Sequence, residues 1–301
     1  MLQKISKYAW IATGLSLFIG IVLVSFDIVG YGTSFFVVLP IGIGFAMGIN
    51  APDADRVAGS LVYSLLALVA ALVFALVFGL EGMVCILMAL PIALFLILVG
   101  YLLALISRRT FLKKYEDNDG KAYSVFLPLA MLLISNLVEE LFTSEPQTIS
   151  VTTSVQLTYR PDVVFNGLKS MDTLDADKPL LLKLGLPSPN KCILEDNKIG
   201  AKRTCQFDNG QIVTEITDYQ QDSLLQMKVI EYTLTGIKWF SFKDAWYTFE
   251  RVGSETNITR TTTYTSVLKP RIYWEPIEKY GIAQEHLFVL ESLKKNLGEG
   301  E

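Results

Sequence analysis

An abrupt change of pattern near residue 143 constrains this chain more than any other feature. Before that point, long apolar runs alternate with short polar breaks; after it, apolar and polar residues alternate with period two. A mean hydropathy of +0.40 therefore averages two unlike parts. Two domains are expected for 301 residues. Residues 1–143 read as a multi-span α-helical membrane region, and residues 144–301 as a soluble α+β domain.

A helix needs roughly 20 apolar residues to cross a hydrocarbon core. Five runs are read as spans: Tyr8 to about Val29, Ser34–Ile49, Ala58–Leu80, Gly82–Ile106 and Tyr123–Phe142. The second is short and carries Pro40, Gly42, Gly44 and Gly48; the fifth ends in Asn136, Glu139 and Glu140. If either fails to cross, the count is four. The first run is too long for a signal-peptide core and leads directly into another apolar run, so it reads as an anchor. Gly44 and Gly48 have the spacing that lets helices approach closely, and a re-entrant or substrate-lining role is the alternative. Asp27, Glu139 and Glu140 fall at span ends, where water is available. An ion path is a weaker reading of them.

Orientation follows from the basic loops. Lys4 and Lys7 precede the first span, Arg56 separates the second from the third, and Arg108, Arg109, Lys113, Lys114 and Lys121 separate the fourth from the fifth. With five spans all three groups share one side, the cytoplasmic one. The C-terminal domain then lies outside a bacterial-type cytoplasmic membrane; with four spans it lies inside.

Neither half is strongly charged, which argues against a nucleic-acid partner. One histidine, three cysteines and no CxxC pair argue against a metal site, and nothing points to a cofactor.

After the connector Thr143–Pro146, Ile149–Tyr159 alternates as a strand. Pro161–Met171 and Pro179–Leu186 read as short helices, because Pro suits a first helical turn. Six strands follow: Lys191–Asp196, Ala201–Phe207, Gln211–Tyr219, Leu225–Leu234, Ala245–Val252 and Asn257–Leu268. Tight turns at Asn197–Gly200 and Asp208–Gly210 join the first three. About Glu275–Leu297 forms a long helix whose apolar stripe holds Ile282, Val289, Leu290, Leu293 and Leu297. His286 falls on the stripe, with Glu285, Lys294 and Lys295 off it. A curved antiparallel sheet must bury that stripe on its concave face. Layers meeting only at their ends leave a cavity suited to an apolar ligand.

This order resembles the SRPBCC superfamily, the helix-grip fold of START lipid-transfer domains, pollen-allergen-like proteins and polyketide cyclases. The residues carrying the resemblance are Leu186-Pro187, Gly200–Phe207, Asp208–Gly210, Thr259–Tyr264 and Tyr273–Glu278. It covers roughly residues 149–297. It implies binding of hydrophobic small molecules or lipids and, in a minority of such families, cyclisation or dehydration.

His286, the only histidine, is a candidate general base or headgroup contact; the alternative is a hydrogen-bonded core histidine. Arg203 and Arg260 alternate in phase with apolar strand neighbours. On the concave face they could bind a carboxylate or phosphate, and otherwise they are solvated or structurally paired. Glu231 is treated alike. Tyr247 and Tyr264 are candidates for lining the interior, and Ile237–Phe240 for a loop touching the bilayer. A hairpin centred on Lys198–Ile199 sets Cys192 opposite Cys205, close enough for a disulfide in an oxidising compartment. Cys85 lies inside the fourth run, and Asn257–Thr259 matches a glycosylation sequon.

The expectation is a membrane-anchored domain that holds a lipid or other hydrophobic ligand. The alternatives are a cyclase or dehydratase using His286, and a non-catalytic assembly protein with a protein partner.

Overall fold

The computed structural model describes residues 7–50, 66, 68–70, 73–74, 76–77, 83–110, 126–142, 146–234 and 239–298. The chain divides into two compact units. One comprises Met1–Glu145 with Val267–Trp274, and the other Pro146–Ser266 with Glu275–Glu301.

In the first unit the described helices are α1 (Lys7–Ser25), α2 (Leu39–Asn50), α3 (Met83–Thr110) and α4 (Leu127–Leu141). A π-helical turn, Ser34–Val38, leads into α2. Among the described residues, Met83–Ser107 is the helical segment long and apolar enough to cross a membrane. The apolar segments Gly14–Ser25 and Ser34–Ile49 are shorter. Of the about five crossing helices expected, length and composition support one among the described residues. Most of the third expected run lies outside the described residues, as do Arg56, Lys113, Lys114 and Lys121. In the fifth run residues 123–125 lie outside the described ones, and the described helix spans Leu127–Leu141 with Pro128 in its first turn.

Glycine brings α2 and α3 into backbone contact. A Cβ on Gly44 would lie 2.0 Å from the Ile97 carbonyl oxygen, and one on Gly100 would lie 2.1 Å from that of Ile41. Around this contact Ile43, Met47, Ile97, Tyr101 and Leu132 form one buried apolar cluster. The small-residue spacing read at Gly44 and Gly48 is therefore a packing device. Glu139 on α4 accepts hydrogen bonds from the backbone N–H groups of Thr33 (3.0 Å) and Ser34 (2.9 Å) and from Ser34 Oγ (2.7 Å). A carboxylate from another helix thus satisfies donors that a helix start leaves open. Asn136 donates to Glu140 at 2.9 Å. Glu139 thus ties α4 to the turn that leads into α2, while the Asn136–Glu140 bond lies within α4.

The second unit is an eight-stranded antiparallel sheet in the order β1-β8-β7-β6-β5-β4-β3-β2. Its strands are β1 (Thr148–Leu157), β2 (Ser170–Met171), β3 (Pro189–Leu194), β4 (Lys202–Phe207), β5 (Gly210–Gln220), β6 (Leu224–Tyr232), β7 (Phe240–Val252) and β8 (Glu255–Ser266). Helices α5 (Pro161–Lys169) and α6 (Leu180–Lys183) lie between β1 and β3, and α7 (Arg271–Asn296) closes the chain. Each strand after β2 pairs with its predecessor, and β1 returns to pair with β8. The sheet curls around α7 in the helix-grip arrangement.

At the β4–β5 turn Gly210 has φ +147°, and a Cβ there would meet the Thr233 carbonyl oxygen at 2.6 Å. Only glycine fits such a turn. Register is interrupted twice where it matters. On β6 the pairing jumps from Thr214–Val229 to Val213–Glu231, so Ile230 is an extra residue. On β7 it jumps between Phe242 and Ala245. A bulge reverses which residues face inward beyond it. This is why Phe240 shares an inner apolar group with Tyr264 while Tyr247 faces the interior too. It also moves Phe240, the last residue of the expected loop Ile237–Phe240, into a strand, while Trp239 stays in a turn. Residues 235–238 lie outside the described ones, but Phe240 begins β7, is buried and stacks on Tyr264 at 4.4 Å.

The glycine contact yields a test. Gly100→Ala should destabilise the full-length protein in detergent by about 1–3 kcal/mol, the usual cost of overpacking. Gly14→Ala, whose Cβ meets nothing within 4 Å, should leave the thermal midpoint unchanged or slightly raised. Equal shifts in the two variants would contradict the close approach of α2 and α3.

Candidate functional site

The interior of the second unit is layered. One apolar group gathers Leu157, Ile258, Phe249, Val289, Leu290 and Leu293. The other gathers Val151, Phe240, Tyr264 and Ile282. Between them, at the same level on β1, β8 and α7, the chain places Thr153, Arg260, Thr262, Glu285 and His286. The result is a polar belt bounded by hydrophobic residues on both sides.

Each member is placed by a simple period. Val151, Thr153, Val155 and Leu157 occupy one face of β1, so Thr153 inherits an inward position by alternation. Arg260 and Thr262 do so on β8, between Ile258 and Tyr264. On α7, Ile282, His286 and Val289 recur at three- and four-residue steps. Glu285, one position before His286, lies at the margin of that stripe, with its side chain 15% exposed. The sequence reading put Glu285 outside the stripe; the structure turns it inward because Arg260 reaches it from the sheet. Arg260 Nη2 lies 2.9 Å from Glu285 Oε2, and both Nη atoms lie 3.2 Å from Oε1.

Arg260 shows how this pair offsets desolvation. Burial, the largest single influence, opposes its charge, but the Glu285 carboxylate and the Tyr247 phenol together outweigh it and hold the guanidinium above its ordinary pKa. His286 is fully buried. Its Nε2 lies 2.8 Å from Thr262 Oγ1 and its Nδ1 lies 3.1 Å from Thr153 Oγ1. Burial, and then the nearby Arg260 charge, push its pKa down to about 2. His286 is thus a neutral core histidine with both ring nitrogens engaged. It has no free lone pair with which to take a proton from a reactant.

Arg203 lies on β4, on the face shared with Cys205. It is 5% exposed. Nη1 is 3.4 Å from Cys205 Sγ, whereas Nε and Nη2 have no hydrogen-bond partner. Burial lowers its pKa and Arg260 adds to the fall, while the Tyr247 phenol works against it. The Tyr247 ring lies 5.9 Å from the Arg203 guanidinium and 5.5 Å from that of Arg260. Arg203, Tyr247, Arg260 and His286 therefore belong to one interior, joined by Thr153, Thr262 and Glu285.

Two candidates fall elsewhere. Glu231 is exposed and accepts a hydrogen bond from Gln211 Nε2 at 3.1 Å. The extra residue Ile230 reverses its face, so counting by alternation from Leu225 and Met227 misplaces it. Tyr264 is buried in the second apolar group, donating to Glu278 Oε2 at 3.2 Å. Ser266 donates to the same carboxylate at 2.6 Å. Cys192 and Cys205 face each other across β3 and β4 and are joined in a disulfide. Among the described residues no group of three or more His, Cys, Asp or Glu is placed to hold a metal ion.

No family model matches the chain, and no curated protein is significantly similar to it. Solved structures are similar to it over about half its length. A START superfamily protein from Mycobacterium smegmatis is 8% identical, with a TM-score of 0.38, covering 50% of this chain and 97% of its own. Truncated norcoclaurine synthase from Thalictrum flavum is 12% identical, with a TM-score of 0.36, covering 53% and 99%. The Aha1 dimer from Colwellia psychrerythraea is 11% identical, with a TM-score of 0.33, covering 51% and 98%. The strand order and long closing helix of the C-terminal half are those of a helix-grip fold.

The buried histidine makes stability depend on pH. Its folded pKa lies below its unfolded value, so between about pH 6.5 and about 2 the unfolded chain binds a proton that the folded chain does not. Stability should therefore fall as pH falls through that window. From pH 7 to 5, where carboxylates stay ionised, the loss from this group is about 2 kcal/mol. Denaturant unfolding at the two pH values should show this slope in the wild type and a much flatter one in His286→Gln. An unchanged slope in the variant would assign the pH dependence to other groups.

Proposed function

We propose that the second unit is a binding module for a hydrophobic ligand, a lipid or similar molecule, and that the first unit anchors it in a bacterial-type cytoplasmic membrane. The observation that carries the binding reading over catalysis is the state of His286. The one side chain suited to proton transfer near neutrality is buried, neutral and engaged at both nitrogens. A cyclase or dehydratase mechanism built on it would lack its acid or base. The helix-grip arrangement, with apolar residues above and below a narrow polar belt, suits a molecule that is mostly apolar and carries one polar end.

The five-span reading belongs to this proposal. It draws support from Met83–Ser107, from the apolar segments Gly14–Ser25 and Ser34–Ile49, and from the one-sided distribution of the basic loops. The Cys192–Cys205 disulfide favours an extracytoplasmic position, since such bonds persist in oxidising compartments. Anchoring would raise the effective concentration of the module at the bilayer.

The binding reading is tested by native mass spectrometry of the full-length protein released from nanodiscs, with organic extraction of what co-purifies. A stoichiometric apolar molecule is the expected result. A chain that stays empty after incubation with membrane lipids, yet crosslinks to another protein in intact membranes, would favour the assembly reading. Topology has its own test. In sealed cells an impermeant maleimide should label Cys192 and Cys205 only after an impermeant reductant is added. Labelling that also requires lysis would place the module inside and remove one span.

A further inference from the structure

The interior of the second unit holds two shielded arginines, Arg260 in the polar belt and Arg203 on β4, but only one carboxylate paired with them. Arg260 is matched by Glu285. Glu278, the other buried acid of this unit, is engaged by Tyr264 and Ser266 in the second apolar group. His286 is neutral. The interior around Arg203 therefore carries an excess positive charge on a side chain that is almost wholly shielded from water. Charged side chains are rarely buried to this degree without a partner.

The pattern of its donors is more specific than the charge. Nη1 is turned to Cys205 Sγ, and the unpartnered groups are Nε and Nη2. Those two N–H bonds lie parallel along one edge of a guanidinium. That edge is the fork which a carboxylate or phosphate meets with two parallel hydrogen bonds. Tyr247 beside it, through its ring face and its phenol, favours a charged guanidinium but leaves Nε and Nη2 unbonded. The surroundings limit what else can enter with an anion. Cys192, Leu194, Met227 and Tyr247 share the core cluster around Arg203, so the remainder of the ligand must be apolar.

From this the geometry points to Arg203 as the seat for the oxyanion head, carboxylate or phosphate, of a single-chain amphiphile. This assignment rests on the binding reading above and deepens it by naming the ligand class. The apolar chain would lie along the hydrophobic residues between sheet and helix. The head would close the fork and neutralise the excess charge. Arg203 would then recognise the ligand, while Arg260 and Glu285 hold the helix to the sheet.

The test is a titration of the full-length protein in a neutral, non-ionic detergent with probes of equal chain length: hexadecanoate, hexadecyl phosphate and hexadecanol. Acetate and inorganic phosphate serve as chainless controls. Binding is read by native mass spectrometry, and each affinity is compared between wild type and variant in the same micelles, so that partitioning cancels. The expected result is that one or both chain-bearing anions bind at least about tenfold tighter than the alcohol, the scale of charge-assisted hydrogen bonds. Arg203→Met should erase that preference while the alcohol still binds, and Arg203→Lys should keep part of it. A preference for one anion tells a fatty-acid source from a phosphate-headed one.

A cooperative thermal transition in the same detergent, as in the wild type, shows that each variant is folded. If acid and alcohol bind equally well, the oxyanion seat is wrong and the binding module stands. If the chainless anions bind as tightly as the amphiphiles, the ligand class is wrong. If no probe binds, both this assignment and the reading it rests on fail.

Discussion

The ion pair between Arg260 on β8 and Glu285 on α7 is the contact on which the interior of the second unit depends. Apolar packing alone would let a helix slide or rotate on a sheet with little penalty, because hydrophobic contact is non-directional. A bidentate pair, nearly removed from water, admits one alignment. With Glu285 set against Arg260, the next residue, His286, falls between Thr262 and Thr153, and the two apolar groups meet above and below. Such a pair is weak evidence for stability, since its desolvation is costly. Fixing alignment is the role it fills here.

The same economy of charge governs the rest of that interior. Two cations and one anion in a shielded space is an arrangement that a purely structural core would avoid. Replacing Arg203 by a hydrocarbon side chain of similar length would cost such a core nothing it needs. The first unit shows the opposite case. There Glu139 has its acceptors filled by Thr33 and Ser34, and the carboxylate is a fastening between helices. Comparing the two separates polar groups that complete the protein from a polar group that the protein leaves incomplete.

Legibility in the sequence followed the range of the interaction concerned. Local periods carried the strands from β3 to β8, the turns at Asn197–Gly200 and Asp208–Gly210, the stripe of α7 and the inward phase of Arg203 and Arg260. Counting outward from a turn set Cys192 against Cys205. What a local period cannot carry is a partner. Glu285 reads as a flank residue until Arg260 is known to reach it, and Thr153 and Thr262 read as ordinary strand threonines until His286 is set between them. Alternation itself failed at Glu231, because the extra residue Ile230 has no mark of its own in the sequence. The helix also starts earlier than expected, at Arg271 rather than Glu275, since Pro276 is tolerated within its early turns.

The disulfide between β3 and β4 has a consequence for assembly as well as for the finished fold. Side chains on a strand change face at every residue, so a hairpin paired one residue out of register would carry its two cysteines on opposite faces of the sheet. Such a hairpin cannot be oxidised without first coming apart. Bond formation therefore acts as a check on pairing, sealing the one register in which both sulfurs look inward. Arg203 stands two residues from Cys205 on the same strand, so the oxidation that proofreads the hairpin also commits this arginine to the inside of the molecule.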